Sequence, residues 1–357
     1  MSDLLSDIKH SFLSKKGMLI MLIGITILAA GLRLYHVSSL PPGLYIDEVS
    51  IGNNAYSIVT QGKDEHGVSY PLWFKAFGEY KMPVYIYLVS LCMTVLGKTE
   101  LAVRMPSILA GTLSIPLLYG IVSLLITKTK QREMQYLPIM SAFVLAITPW
   151  HIHFSRGGFE ATVALAWYLL SLFLFLLFCK DRRSLVLWGS ILALALTTYT
   201  YNTYRIIALF TIGGYLWYLW QSVKMKKSSL VGICIGFVFL LLPMLLFSMS
   251  SAGTERFQQV SSFSTYKDLP VMKQFYLIPM DFLNNYLRYF SFEYLFTVGD
   301  QNGRHQIPGV GLLYRGEFLF VLLGIVMLVR MKKRKLLYVI LGLLFIAPLP
   351  AALAIPS

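Results

Sequence analysis

Carboxylates are concentrated in one short stretch of this 357-residue sequence, and their types and spacing suggest chemistry. Residues 45–81 read YIDEVSIGNNAYSIVTQGKDEHGVSYPLWFKAFGEYK and carry five acids, namely Asp47, Glu48, Asp64, Glu65 and Glu79. Asp47 and Glu48 follow the turn-forming Pro41–Pro42–Gly43, and a carboxylate there can act as general base toward an incoming hydroxyl. The alternative is a pair of acids that stabilises a helix N-terminus through the helix dipole. Both interpretations are open from the residues alone.

The remaining acids of this stretch also have two interpretations each. Asp64–Glu65–His66 offers oxygen and imidazole ligands for a divalent cation, or it forms a solvated turn after Gly62. Glu79–Tyr80–Lys81 directly precedes Met82–Pro83 and an apolar run. Lys81 at headgroup depth would pair with a lipid phosphate or extend its ammonium group into water.

Three arginines lie in other polar segments. Arg156 and Glu160 are four apart in WHIHFSRGGFE, so Arg156 either binds a phosphate through its planar fork or forms an ion pair with Glu160. Arg205 ends the aromatic segment YTYNTYR, where rings suit sugars but are also common at membrane interfaces. Arg304–His305 lies in a glycine-flanked loop and offers a phosphate contact or a metal ligand, or it is an ordinary surface loop.

The elements that must position these residues are membrane helices. The sequence is 56% hydrophobic and 13% charged, and its apolar runs of roughly 15–22 residues are close to the ~20 needed to cross a bilayer as helix. The runs are 18–34, 82–97, 105–126, 136–149, 161–179, 185–199, 206–220, 229–250, 316–330 and 336–350. The net charge of +14 comes from short basic clusters at the ends of these runs, which is typical of cytoplasmic loops and not of nucleic-acid binding. The three cysteines lie in or beside apolar runs and predict neither a disulfide framework nor a metal site.

The basic clusters also predict a topology. If 82–97 lies along the outer face without crossing, the clusters at 128–132, 180–183, 224–227 and 330–335 fall on the same side as Lys9, Lys15 and Lys16. The prediction is therefore one transmembrane domain over 1–357, an all-α polytopic membrane protein with about nine spans and one juxtamembrane helix. The N-terminus is cytoplasmic, and two large outer loops, 35–104 and 251–315, carry the site.

The order of the motifs resembles that of a known family. After a first span come PPGLYIDE, then EYKMP before the juxtamembrane run, LAVRMPSILAG, HFSRGGFE and YTYNTYR. This order is similar to glycosyltransferase family 39, the relatives of dolichyl-phosphate-mannose protein mannosyltransferases and of the lipid A aminoarabinose transferases. The resemblance implies a C-type glycosyltransferase bundle that moves a sugar from a polyprenyl-phosphate donor to an acceptor hydroxyl on the outer face, with inversion. The acceptor, whether protein, glycan or lipid, is left open.

The resemblance also implies roles for individual residues. Asp47 is similar to the catalytic base, with Glu48 beside it. Lys81 is similar to the lysine that binds the carrier phosphate, and Arg156 matches an arginine of the second outer loop. With Arg205 and Arg304, which their own segments suggest, four cations are expected to bind the donor phosphate. A divalent metal ion is the candidate cofactor, with Glu79 and His305 as its ligands.

Two other functions are alternatives. A transporter or flippase of a lipid-linked precursor would share the membrane architecture, but the predicted spans contain no Asp, Glu, Lys or Arg between their ends, where ion-coupled transporters usually need ionisable groups. An inactive scaffold that binds a membrane partner through 251–315 is the other alternative.

Overall fold

The structure is a computed structural model that describes residues 15–126, 132–261, 264, 266–330 and 334–354. Lys9 lies outside the described residues, as do 128–131 and 331–333 of the two basic clusters at 128–132 and 330–335. The elements in chain order are α1 (Lys15–Leu34), α2 (Ile46–Gln61), β1 (Phe74–Ala76), β2 (Glu79–Lys81), α3 (Pro83–Leu96), α4 (Glu100–Ile126), α5 (Leu137–Ile147), α6 (Pro149–Arg156), α7 (Glu160–Asp181), α8 (Ser184–Thr198), α9 (Tyr204–Tyr218), α10 (Lys227–Ser248), α11 (Ser251–Val260), α12 (Val271–Arg288), α13 (Glu317–Arg330), α14 (Arg334–Ile346) and α15 (Leu349–Ala352).

The helices confirm an all-α polytopic membrane protein. Among the described residues, five helices are long and apolar enough to cross a membrane: α1, α4, α7, α9 with its π-helical extension to Val223, and α10. A sixth span is obtained if 134–147 and 149–156, which meet at a bend of 56°, are counted as one. Fewer helices meet this criterion than the nine spans predicted, because apolar helices such as α8 and 337–352 have fewer than 18 residues.

The helix α3 is the element predicted to lie along the membrane. Its 14 residues span about 21 Å at ~1.5 Å per residue, less than the ~30 Å of bilayer hydrocarbon. Lys81 ends the preceding strand and Gly97, at φ +68°, ends the apolar run. The boundaries therefore match the predicted 82–97, and its failure to cross stays a prediction.

The chain divides into two compact units, and the first comprises Met1–Gln61 with Tyr85–Leu196. In this unit α4 packs against α1, α5, α6 and α7. Small side chains make close approach possible, as is usual between membrane helices: a Cβ at Gly111 would collide with Ser155, and Ala29, Ile115, Ala142 and Ala146 form a buried cluster. The predicted run 136–149 ends at Thr148, which is extended (φ −61°, ψ 129°) because Pro149 follows it.

The second unit comprises Gly62–Val84 with Thr197–Ser357. Its β1–β2 hairpin pairs Phe74 with Lys81 and Ala76 with Glu79. The Trp73 ring is stacked on Phe247 at 4.2 Å between centroids and on Tyr199 at 6.0 Å. Aromatic packing thus attaches the hairpin to the end of α10 and to the loop before α9.

Candidate active site

The site begins at the N-terminus of α2, where Asp47 and Glu48 lie in the first turn. Successive residues of a helix point about 100° apart, so the two carboxylates face different surroundings. Asp47 is half-buried, whereas Glu48 is only 1% exposed. The sequence placed both acids at the site, and the structure gives them different environments.

The Glu48 carboxylate is fully occupied by hydrogen bonds within the first unit. Its Oε1 accepts from the Arg104 Nε–H at 3.0 Å and the Gly158 N–H at 2.7 Å. Its Oε2 accepts from the Tyr45 N–H at 3.1 Å. A Cβ at Gly158 would lie 2.9 Å from Glu48 Cγ, so this position requires glycine for close approach. The geometry favours Glu48 as a positioning residue, and its predicted catalytic role stays a prediction.

Arg104, in the first turns of α4, is fully buried and completes this network. Its Nη1 donates to the carbonyl oxygens of Val37 (2.6 Å) and Pro41 (3.1 Å), and its Nη2 donates to that of Gly43. Sequence reasoning placed Arg104 in a family motif and gave it no role. The sequence did carry a signal for this role. Arg104 is an arginine at the start of an apolar run, and Glu100 is the acidic residue near it in sequence.

Arg156, the last residue of α6, holds the same loop from its other side. Its Nη1 donates to Leu32 O at the end of α1 at 2.7 Å, and its Nη2 donates to Leu40 O at 2.9 Å. Arg104 and Arg156 together fix the backbone of residues 37–43, which lead into Asp47. Phosphate binding by Arg156 stays a prediction, and the structure shows it binding backbone carbonyls.

Asp47 shares its surroundings with Tyr45 and Glu160. Burial raises the pKa of the Tyr45 phenol, and the charges of Glu160, Asp47 and Glu48 raise it further, so all three carboxylates act on this phenol. The Tyr45 ring is stacked on Phe159 at 5.4 Å. Ser107 of α4 donates to Phe159 O at 2.8 Å and so fixes the turn from which Glu160 starts α7. The structure therefore brings the segment that carries Asp47 to the start of α7, where Glu160 lies, although Asp47 and Glu160 are 113 residues apart in sequence.

The predicted cations Lys81 and Arg205 belong to the second unit. Lys81 ends β2, is 7% exposed and lies 6.0 Å from the centroid of the Phe77 ring. Arg205 lies in the first turn of α9. Its Nη2 is 3.5 Å from the Sδ of Met82, the residue that follows Lys81. The buried Arg205 Nε has no hydrogen-bond partner among the described residues. A sulfur atom is a weak hydrogen-bond acceptor. The Arg205 guanidinium would therefore be stabilised by binding an anion.

Arg304 and His305 lie in the loop between the π-helical turn 293–297 and α13. Arg304 is exposed, and its Nε lies 3.4 Å from Asn302 Oδ1. His305 Nδ1 lies 3.4 Å from Asp300 Oδ2. Partial burial acts to raise the pKa of Asp300, but the hydrogen bonds from His305 and the Asn302 N–H outweigh it and leave that pKa below its ordinary value.

No metal centre is built by the described residues. Among them, no three His, Cys, Asp or Glu side chains are placed to hold a metal ion, so Glu79 and His305 stay predicted ligands. Asp64 instead closes its own turn, because its Oδ1 accepts the N–H groups of His66 (2.9 Å) and Val68 (2.8 Å). These bonds form the turn named as the alternative for 64–66, but Asp64 is only 4% exposed, so the turn is not solvated at this residue.

Comparisons with known proteins indicate the class of this protein. Residues 80–247 match the family model described as dolichyl-phosphate-mannose-protein mannosyltransferase. A crystal structure of the apo oligosaccharyltransferase of Archaeoglobus fulgidus superposes with a TM-score of 0.57 at 14% identity, over 96% of this chain and 50% of that one. The chain thus spans half the length of that structure. No curated protein sequence matched the chain.

The family match lies over α3 to α10 and includes Lys81, Arg104, Arg156 and Arg205 of the residues described above. Family and fold together support a membrane glycosyltransferase. The chain resembles the family 39 mannosyltransferases over residues 80–247, and it has the fold of the C-type glycosyltransferases.

Proposed function

We propose that this chain transfers a sugar from a polyprenyl-phosphate donor to an acceptor hydroxyl on the outer face of the membrane, with inversion at the anomeric carbon. The observation that carries the proposal is the environment of Asp47. It is a half-buried carboxylate at the start of α2, beside Tyr45 and Glu160, and the loop leading to it is fixed by the Arg104–Glu48 pair and by Arg156.

Asp47 is the general base in this proposal. As the acceptor hydroxyl attacks the anomeric carbon, its proton passes to an Asp47 carboxylate oxygen and the bond from carbon to the phosphate oxygen breaks. The electron pair of that bond leaves with the polyprenyl phosphate. Because attack comes from the face opposite the leaving group, the configuration inverts. The phosphate leaves as a stable anion and needs no general acid.

Lys81 and Arg205 stabilise the departing phosphate in this proposal. Lys81 is buried at the end of β2, and the unbonded Nε–H of Arg205 is buried as well. Cations held in a water-poor setting interact with developing negative charge far more strongly than they would in water. Their use in one site with Asp47 is part of the proposal. The proposal also includes Arg304, which is exposed, as a further contact to the phosphate. Glu79 and His305 would be the ligands of a divalent metal ion.

The test is an Asp47→Asn variant expressed in cells that lack the native chain, with glycan and lipid profiles as the readout. Asp47→Asn keeps the shape of the side chain and removes its basicity, so we expect transfer to fall by about 10²–10⁴-fold. Asp268→Asn, which changes an exposed acid in the segment before α12, is the matched control and should transfer normally. Equal transfer by the two variants, at equal amounts in the membrane, would remove Asp47 as the base.

A further inference from the structure

The helix α12 has its apolar and polar faces reversed relative to an ordinary surface helix. An amphipathic surface helix normally turns its apolar stripe toward the protein. Here a row of large apolar side chains is exposed, with Met272 86% exposed, Phe275 76%, Tyr276 68% and Leu283 52%. None of the residues of α12, all of which the structure describes, is buried.

Three polar side chains of α12 face the protein and hydrogen-bond within the second unit. Gln274 Nε2 donates to Leu269 O (2.7 Å), Asp281 Oδ2 accepts from Tyr266 OH (2.5 Å), and Asn285 Nδ2 donates to Ala354 O (3.1 Å). These bonds fix the rotation of the helix about its axis. The apolar stripe therefore cannot turn inward without breaking them.

The depth of α12 follows from its attachment to α14. Asn285 Nδ2 donates to Ala352 O at 3.4 Å, at the end of the apolar segment 337–352, and α12 also contacts α15. Tyr286 OH donates to Phe345 O, near the end of α14, at 2.8 Å. The segment 337–352 is an apolar helix, and the end of such a helix in a membrane lies at headgroup level. The chain leaves the span α10 before this region and reaches the apolar α13 after it. A bilayer surface is therefore already adjacent to α12.

We propose that α12 lies in the boundary between lipid headgroups and acyl chains, with its apolar stripe in the lipid and its polar face on the protein. A large exposed apolar face must be covered in solution, and helices of this kind bury such a face about 5–10 Å into the interface. Lys273, exposed in the first turn, suits lipid phosphates. The same lysine would lose its hydration in a dry contact with a second copy, so the lipid surface is the occupant that fits.

The experiment measures depth directly in the full-length protein. Cys92, Cys179 and Cys234 are replaced by alanine, and single cysteines at Tyr276→Cys and Leu283→Cys carry an environment-sensitive nitrobenzoxadiazole label. The matched control is Asn284→Cys, next to Leu283 and exposed on the side of α12 away from the stripe centre. Each protein is reconstituted in vesicles of phosphatidylcholine and phosphatidylglycerol. Quenching by doxyl-labelled lipid is compared with quenching by aqueous iodide.

We expect loss of fluorescence at 276 and 283 with doxyl lipid and protection there from iodide, with the reverse at 284. Iodide quenching at all three positions would show a solvated helix and overturn the proposal. Protection from both quenchers at 276 and 283 would show a protein-covered face, such as a second copy, and would overturn it too. Photoactivatable lipids crosslinked to the unsubstituted protein should label peptides from 271–288, and their absence there would count against the proposal independently of any cysteine variant.

Discussion

Replacing Glu48 by glutamine should strongly destabilise the first unit. Glutamine keeps the side-chain volume but removes the negative charge beside the fully buried Arg104 guanidinium. Its amide also brings N–H groups to a site where the Arg104 Nε–H, Gly158 N–H and Tyr45 N–H all donate. At least one buried donor must then lose its acceptor.

The magnitude follows from the burial of both partners. Removing one partner of a buried ion pair costs about 3–5 kcal/mol, because the other charge is left without compensation. Glu100→Gln is the matched control, since Glu100 lies 3.9 Å from the same Arg104 but is 38% exposed. A pair with an exposed partner is worth about 0–1 kcal/mol. The double variant with Arg104→Met should lose about 2–3 kcal/mol less than the sum of its single variants.

The assay is reversible unfolding of the purified protein in mixed detergent and SDS, followed by tryptophan fluorescence. The free energy of unfolding is compared for the native chain, Glu48→Gln, Arg104→Met, the double variant and Glu100→Gln. Additive losses, or equal losses for Glu48→Gln and Glu100→Gln, would refute the argument that Glu48 and Arg104 act as one buried unit.

Three further predictions concern Gly158, Lys81 and Asp300. Gly158→Ala should cost about 1–3 kcal/mol in the same unfolding assay, since its Cβ would press on Glu48, and an unchanged stability would mean that the contact relaxes freely. Lys81→Met should weaken binding of polyprenyl phosphate in a titration by about tenfold, as expected for the loss of a charged hydrogen bond, and unchanged affinity would remove Lys81 from the phosphate site. The folded state lowers the pKa of Asp300, so the ionised Asp300 carboxylate stabilises the fold. This stabilisation is fully present above the unfolded pKa of about 3.9 and is lost as the pH falls through the lower pKa of the folded state. Asp300→Asn should therefore lower the free energy of unfolding above about pH 4, and this loss should disappear as the pH falls below that value. A loss of equal size on both sides of that value would contradict the Asp300–His305 assignment.

Membrane class and helix boundaries could be predicted from the sequence because they depend on local composition. The apolar run 82–97 is bounded by Lys81 and Gly97, and the structure begins and ends α3 within one residue of it. Polar helices carry a weaker signal. The stretch 271–288 contains Lys273, Asp281 and Arg288, so it was predicted only as part of an outer loop.

The site could be predicted only in part, since its decisive contacts are distant in sequence. Asp47 and Glu48 are neighbours with nearly the same chemistry, and the contacts that distinguish Glu48 come mainly from Arg104 and Gly158, 56 and 110 residues later. Arg156 offered the sequence no sign that carbonyls 116 and 124 residues earlier would be its partners. Whether Lys81 and Arg205 serve the same site as Asp47 is a question that local sequence patterns do not address.

Arg104 and Arg156 hold the loop before α2 through its main-chain oxygens, those of Val37, Leu40, Pro41 and Gly43, and Arg156 also binds Leu32 O at the end of α1. Every amino acid provides a carbonyl group, so the fastening does not depend on which residues the loop contains. Substitutions along this segment can change the side chains that it presents while Asp47 keeps its position. Under the proposed function, exchanging these side chains would alter substrate selectivity and leave the position of the proposed base unchanged.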